Sequence, residues 1–444
     1  MTRPPRLTIT ETEPVPLLRD FKTFIDYIKE NQIALTKANS HIPKADVFKL
    51  NMLMTNQETK PTKNSDQVAY PLLNFFYHLV LSGRLFIKTI GKGGKKVLEP
   101  DDRLKLYEAL TLTEKYFFLL ETFWTDINWI NAGEFYIKNF TCIYEVPVLV
   151  AYLSSMKPGQ RLVLAKTDHI STEYLFLKFS YINLYLSYLG FFEVTPNERM
   201  MSEINRRLFF PASVVPTAFG VLMADILTRN RHLPLWNLPF RRYEGEFKAV
   251  PGTPLPEDSE YREMMFVIKD GILRGDKPKL LVPTRRSKTS EPFFKSFVSY
   301  FAEDELQKTL PRLENTFTDG TYVFKVCINK NNWWRIETAG RHTLEDLHLA
   351  IQVDMALQEL YGYRFFMDGV PWSEESFSCP EEEEGPYTNE VRIGELSLYK
   401  GQSILYSFDY GYEWRFDVLV EGIYKDRPLP FKPMLIEKQG IFKK

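Results

Sequence analysis

FDYGYEWRF, residues 408–416, determines how the last third of this 444-residue chain folds. Its centre has the glycine and acidic residues of a turn, and apolar residues alternate with other residues on both sides. This pattern is typical of a β-hairpin, so we predict strands over residues 404–409 and 414–420. The apolar residues of the second strand lie two positions apart and share one face: Trp414, Phe416, Val418 and Val420.

An earlier hairpin and a capped helix complete the plan of the C-terminal region. Residues 322–328 and 333–337 alternate around a polar turn, which predicts two paired strands. Thr343 and Asp346 form a capping-box pair, and the helix that follows places apolar residues on one face. Another strand is predicted over residues 363–367. Hairpin, helix and further strands in this order predict a β-grasp-like α+β domain.

Three segments of this region carry a resemblance to a known family: residues 334–336, residues 343–352 and residues 406–421. Together they resemble the plasmid pRiA4b open-reading-frame-3 family over about residues 320–440. The resemblance implies a fold class and a bacterial source, and it leaves the activity open. His348 lies at the position of the family's helix histidine, which implies a family-specific contact.

This chain departs from the family pattern at the turn. The family turn usually reads Asp-Phe-Gly-Asp-x-Trp-x-His, whereas Tyr412 and Phe416 replace its second Asp and its His here. The acidic-Cys-Gly-Gly segment common near the family's C-terminus is also missing from residues 425–444. A site built from those polar groups in other members is therefore predicted to be lost.

The composition predicts about three domains and a substantial core. Hydrophobic residues make up 44% of the chain and charged residues 25%, which is ordinary for globular proteins. The net charge of −1 argues against a protein that coats nucleic acid through its bulk charge. The N-terminus lacks a signal peptide, and the longest uncharged apolar stretch, residues 179–192, is too short to cross a membrane. We expect a cytoplasmic protein without membrane contact.

The N-terminal part is predicted to contain winged-helix-like units. After a tail over residues 1–16, three helical patterns precede two short alternating runs at residues 84–90 and 95–98, joined by a glycine-rich turn. We assign residues 17–150 to a winged-helix-like domain and residues 151–250 to a second helical, winged-helix-like one. Residues 251–318 form a linker and helical connector, and residues 319–444 form the C-terminal domain.

We call residues 84–98 the basic hairpin, because five cations and no acid occur within its first thirteen residues. Lysines on a wing beside a helix-turn-helix are placed to contact the phosphates of DNA. Charge on a hairpin also keeps it soluble and protects its edges, so this alternative stays open. The candidate nucleic-acid-binding residues are Arg84, Lys88, Lys92, Lys95 and Lys96.

The aromatic residues of the C-terminal hairpin offer a second candidate surface. Because strand side chains alternate, one half of them is expected to pack on the helix over residues 344–355, and only the other half is free to stack on a base or bind a peptide. The acidic run at residues 381–384 would repel nucleic acid, which favours a protein partner. The candidate interaction residues are Tyr410, Tyr412, Trp414 and His348.

No catalytic group, metal site or cofactor motif is predicted. The six histidines have no ligand spacing with one another or with cysteine, and the glycine-rich turn at residues 91–94 lacks phosphate-loop spacing. The three cysteines are far apart and odd in number, which fits a reducing compartment. These observations favour a binding protein over an enzyme.

Two hypotheses about function therefore rank above a third, which is an enzyme whose site the sequence does not show. The first is a nucleic-acid-binding accessory protein that contacts double-stranded DNA through the basic hairpin. The second is a protein-interaction adaptor, with a partner at the C-terminal domain and no role for DNA. The direction of the basic face distinguishes the two hypotheses. An exposed basic face favours DNA binding, whereas a basic face that packs against the next domain favours the adaptor.

Overall fold

The computed structural model describes residues 6–37, 39–91, 95–132, 141–164, 174–203, 209–243, 246, 248–255, 291–313, 317–355, 362–373, 375–383, 385–411 and 413–440. Helices and strands form an α+β architecture around two hydrophobic cores. The first core draws on residues between Ile9 and Leu310, and the second on residues between Tyr322 and Val420. In the part of the chain described, no helix has the length and apolar character needed to cross a bilayer.

Three helices and the basic hairpin open the chain in the predicted order. They are α1 (Leu17–Asn31), α2 (Lys44–Leu53), α3 (Pro71–Ser82), β1 (Phe86–Ile90) and β2 (Lys96–Pro100). Pro71 occupies the first turn of α3, where its missing N–H costs nothing. The predicted apolar face of α1 is buried: Leu17, Leu18, Phe21, Phe24, Ile25 and Ile28.

Two capped helices follow the hairpin: α4 (Asp102–Glu108) and α5 (Leu112–Glu121). Asp101 caps α4, and Thr111 with Glu114 forms a capping box on α5. Glu114 also accepts hydrogen bonds from the backbone N–H groups of Gln307 and Lys308, at 3.3 and 3.2 Å. The connector is thereby held against α5. Most of that connector, residues 256–290, lies outside the described residues.

The middle region joins the same core as the N-terminal helices. Its elements are α6 (Trp129–Ala132), α7 (Thr141–Ser155), β3 (Leu162–Val163), α8 (Tyr174–Lys178), α9 (Ser180–Tyr188), β4 (Phe192–Pro196), α10 (Glu198–Glu203), β5 (Pro211–Pro216), α11 (Ala218–Asn230), α12 (Leu233–Trp236) and α13 (Leu238–Tyr243). The strands form an antiparallel sheet in the order β3-β5-β4. Phe75 of α3 stacks on Tyr185 of α9 at 4.6 Å. The predicted boundary at residue 150 falls inside α7.

The C-terminal domain is an antiparallel sheet crossed by one helix. Its elements are β6 (Thr321–Asn329), β7 (Asn332–Ala339), α14 (Leu344–Met355), β8 (Tyr363–Phe366), β9 (Ser376–Ser378), β10 (Ser403–Phe408), β11 (Trp414–Tyr424) and β12 (Met434–Gln439). The sheet order is β12-β7-β6-β11-β10-β8-β9. The predicted helix cap is confirmed, because Thr343 and Asp346 exchange two hydrogen bonds of 2.8 and 3.1 Å.

Candidate functional site

The basic hairpin packs against the C-terminal domain. Lys88 lies opposite Leu98, and Lys96 lies opposite Ile90, so both lysine side chains leave the same face of the hairpin. Thr89 meets Gly401 so closely that a Cβ at Gly401 would lie 3.1 Å from the Cβ of Thr89. The hairpin is therefore an internal contact element between the two cores.

Arg84 takes part in this contact. Its Nη1 donates a hydrogen bond of 2.8 Å to the carbonyl oxygen of Ser397, and its Nε lies 3.6 Å from the carboxylate of Asp101. The guanidinium also lies over the ring of Tyr399, 5.1 Å from its centroid. These contacts join the N-terminal core to the C-terminal domain and leave little of this cation for an external phosphate.

Lys88 points into the space between the two parts. Its Nζ lies 5.6 Å from the centroid of the buried Tyr77 ring. The pKa of Lys88 is lowered to about 8, mainly by burial, with the Asp368 carboxylate opposing the shift and the nearby Lys96 adding to it. The hydroxyl of Tyr399 donates a 3.3 Å hydrogen bond to the Lys88 carbonyl oxygen, and its own pKa is raised by burial to about 12.

The two remaining described lysines differ in exposure. Lys95 is exposed at the turn, whereas Lys96 is partly buried. A Cβ built on Gly369 would lie 3.1 Å from the Nζ of Lys96, so this ammonium reaches the loop after β8. Lys92 lies outside the described residues.

A cavity of about 160 Å³ separates the basic hairpin from the C-terminal domain, and we call it the hairpin cleft. Its polar lining comes from both sides: Arg84, Lys88, Lys96, Asp368, Tyr399, Gln402 and Ser403. Asp368 Oδ1 accepts hydrogen bonds from the Val370 N–H and the Ser373 hydroxyl, at 3.0 and 2.9 Å. Burial raises the pKa of Asp368, and these bonds and Lys88 oppose that rise.

The C-terminal aromatic residues are distributed between core and surface. Trp414 is partly buried against the second core, and Tyr410 is partly buried beside Trp372, with ring centroids 5.6 Å apart. The Tyr410 hydroxyl donates a hydrogen bond to Glu382, which with burial raises the pKa of the tyrosine. Tyr412 lies outside the described residues.

His348 lies inside the C-terminal core instead of on its surface. Its ring is buried and stacks on Tyr363 with a centroid distance of 3.6 Å. Burial lowers the pKa of His348 to about 3, so the ring is neutral at ordinary pH. Over the described ranges, no group of three or more His, Cys, Asp or Glu side chains is arranged to hold a metal ion.

Sequence reasoning selected the cations of the hairpin cleft and missed the residues that face them. Asp368, Tyr399 and Ser403 belong to the loop after β8, the segment before β10 and the start of β10. Nothing in their local sequence marks them as a site, because Tyr399 is 311 residues from the Lys88 that it contacts. Only the packing of the two cores brings them together.

Comparison with known proteins shows that the C-terminal domain is similar to a known family. Residues 321–441 match the family described as plasmid pRiA4b ORF-3-like protein. The crystal structure of a protein of unknown function, MM3350 from Methanosarcina mazei Go1, is 22% identical over 27% of this chain and 69% of that chain, with a TM-score of 0.24. No curated protein matches the chain significantly. The predicted resemblance over residues 320–440 is thus confirmed.

Proposed function

We propose that this chain is a non-catalytic adaptor whose C-terminal domain binds an extended segment of a protein partner along β12. The free edge of the large sheet carries the proposal. Among the described strands, β12 pairs only with β7 and ends the sheet, and all six of its residues are exposed. Such an edge offers unpaired N–H and C=O groups to another strand.

The side chains of this edge favour a partner with apolar residues. Met434, Leu435 and Ile436 are consecutive, and each is at least 40% exposed. Phe431, three residues before the strand, is 90% exposed. Natural sheets usually protect a free edge with charge or proline; here Glu437 and Lys438 charge the second half of β12, whereas its first half presents apolar groups, as binding surfaces do.

The geometry gives less support to DNA contact by the basic hairpin. Arg84 and Lys88 face the C-terminal domain, and Lys95 is the one fully exposed cation among the hairpin residues described. By the criterion set from the sequence, a basic face that packs on the next domain favours the adaptor.

The finer features of the fold belong to the same proposal. The order of α1, α2, α3 and the β1–β2 hairpin supports a winged-helix-like unit. The β6–β7 hairpin followed by α14 and further strands supports a β-grasp-like plan. Three free cysteines support a reducing compartment, the cytoplasm.

Photo-crosslinking from the edge strand tests the adaptor. A photoreactive residue replaces Ile436 in cells of the source organism, and a matched variant carries it at Val353, which is 83% exposed on α14. We expect a discrete cross-linked protein from position 436 and none from position 353. Equal products from both positions, or none from position 436, would refute docking along β12.

Fluorescence anisotropy with mixed-sequence duplex DNA across a salt series tests the first hypothesis directly. The adaptor proposal predicts no salt-dependent binding by the wild-type chain. Binding that weakens with salt, with a shallower slope in the Lys92→Glu/Lys95→Glu/Lys96→Glu variant, would replace the adaptor with a phosphate-contacting hairpin.

A further inference from the structure

The hairpin cleft has the size of a ligand site. A single water molecule needs roughly 10–15 Å³ of such space, and the cleft provides about 160 Å³. Its lining combines apolar side chains such as Leu81 and Phe86 with convergent polar groups from two separate cores. Ligand sites are typically built in this way, at the junction between domains.

The charges around the cleft do not balance. Three cations line it, Arg84, Lys88 and Lys96, against the single carboxylate of Asp368. Arg84 is neutralised by Asp101 and held by Ser397, as described above. Asp368 is partly satisfied by its own loop. The surplus positive charge therefore belongs to the two lysines.

Neither lysine ammonium has a hydrogen bond or ion pair within the described structure. Lys88 has the face of the Tyr77 ring beside its Nζ and the Asp368 carboxylate near enough for an electrostatic attraction, and Lys96 reaches the backbone at Gly369. Placing an ammonium in a poorly hydrated site without a partner costs free energy, and a second cation on the same hairpin face adds repulsion. An anion between the two would remove both costs.

We propose that the hairpin cleft binds a phosphate group, held by Lys88 and Lys96 from the basic hairpin and by Ser403 from β10. A phosphate carries close to two negative charges, which matches two ammonium groups better than a carboxylate does. Lysine is a common phosphate ligand as a point charge. Ser403 lines the cleft, and its hydroxyl has no hydrogen bond in the described residues, so it can donate to a phosphate oxygen.

The bound group would also join the two cores. Lys88 and Lys96 belong to the basic hairpin, whereas Ser403 belongs to the C-terminal sheet. A ligand that contacts both sides adds a bridge beside the Arg84 contact. Phosphate binding is therefore expected to stabilise the relative position of the two parts, in addition to filling the cleft.

Calorimetric titration and thermal unfolding of the full chain test this site. Inorganic phosphate and phenyl phosphate are compared with chloride at matched ionic strength. We expect saturable phosphate binding and a Tm that rises with phosphate concentration. Tighter binding of phenyl phosphate would identify a phosphate ester as the natural source, and tighter binding of inorganic phosphate would identify the free ion. Equal effects of phosphate and chloride would overturn the proposal.

Matched lysine variants locate the binding. Lys88→Met and Lys96→Met each remove one ammonium, and Lys95→Met removes the exposed ammonium of the same hairpin. Hydrogen bonds to charged groups are strong enough that each cleft variant should bind phosphate about tenfold more weakly or worse, with Lys95→Met unchanged. Equal weakening by Lys95→Met would show nonspecific charge attraction and refute the site.

The folding of the variants provides an independent check. Because the Lys88 ammonium is partly buried without a hydrogen bond or ion pair in the described residues, Lys88→Met should melt at the wild-type Tm or above it when phosphate is absent. If Lys88→Met does not fold, Lys96→Met, whose side chain is also only partly buried, carries the binding test with the same expected loss.

Discussion

His348 shows how one buried polar network constrains a protonation state. The Gln352 amide donates a 2.9 Å hydrogen bond to the Tyr406 hydroxyl, whose own proton is then available to His348 Nδ1 at 2.8 Å. When Nδ1 accepts this hydrogen bond, the ring is neutral. Burial favours the same state, because it lowers the pKa of His348 to about 3.

The free energy of unfolding should consequently fall as the solution is acidified. The folded pKa of His348 lies below the ordinary value of 6.5, so between these two values the unfolded chain binds more protons and stability decreases with falling pH. His232, whose pKa burial lowers to about 4, acts in the same direction. Urea unfolding at about pH 7 and about pH 5 measures the loss, on the order of 2 kcal/mol per histidine.

The variant His348→Gln isolates the contribution of His348 to this loss of stability. Its loss of stability between the two pH values should be smaller than that of the wild type by about the contribution of one histidine. Val353→Gln, an exposed position on the same helix, should keep the full loss. Equal losses in the wild type and His348→Gln would show that this histidine is already protonated in the folded state.

At the scale of elements, α11 depends on a close approach that only glycine allows. Thr217 caps the helix, since its hydroxyl accepts a 2.8 Å hydrogen bond from the Gly220 N–H and donates one of 2.7 Å to the Gly190 carbonyl oxygen. The first turn thereby lies against Phe191. A Cβ on Gly220 would come within 1.8 Å of the Phe191 carbonyl oxygen, so the helix would have to move.

We expect Gly220→Ala to destabilise the first core, although alanine is the better helix former. Overpacking typically costs about 1–3 kcal/mol, which exceeds the gain in helix propensity of roughly 1 kcal/mol. Gly411→Ala is the control, because the one atom within 4 Å of its added Cβ is the Asp409 side-chain oxygen at 3.3 Å. Chemical denaturation of both variants measures the change in stability. A denaturation midpoint of Gly220→Ala equal to that of the wild type would contradict the close packing of Gly220 against Phe191.

Prediction of elements succeeded where neighbouring residues decide and failed where a sheet partner decides. The Thr343–Asp346 cap and the β10–β11 hairpin are confirmed, because each depends on residues only a few positions apart. β5 was not predicted as a strand, since proline occupies both of its ends. It is nevertheless the central strand of its sheet, because β3 and β4 pair with it from the two sides.

At the scale of the whole molecule, Arg84 is one of the polar links between the two cores, beside the ion pairs Arg242–Glu375 and Lys248–Glu395. It combines a hydrogen bond to Ser397, a contact with Asp101 and the face of Tyr399. Removing one partner of such a cluster leaves the others unsatisfied. The hairpin and the segment before β10 should then separate more readily than either core unfolds.

Hydrogen exchange measures that separation. In Arg84→Met, peptides covering residues 86–90 and 397–402 should exchange at least about tenfold faster, for the loss of roughly 1.4 kcal/mol of local stability. Arg415→Met, which removes an exposed arginine paired with Glu413, should leave both peptides unchanged. Unchanged exchange in Arg84→Met would mean that the other contacts hold the interface without Arg84.

The sequence by itself determined the strands β6, β7, β8, β10 and β11, the capped helix and the family resemblance of the C-terminal domain, whereas β9 and β12 were not predicted. It also identified Lys88 and Lys96 as members of a basic hairpin, because alternation and turn chemistry are properties of neighbouring residues. Only the tertiary structure decided that this hairpin faces Asp368, Tyr399 and Ser403 across a cleft. The local sequence pattern indicates which residues share one face of an element. Which other surface that face contacts depends on how the two cores pack, and the residues of those cores are far apart in the chain.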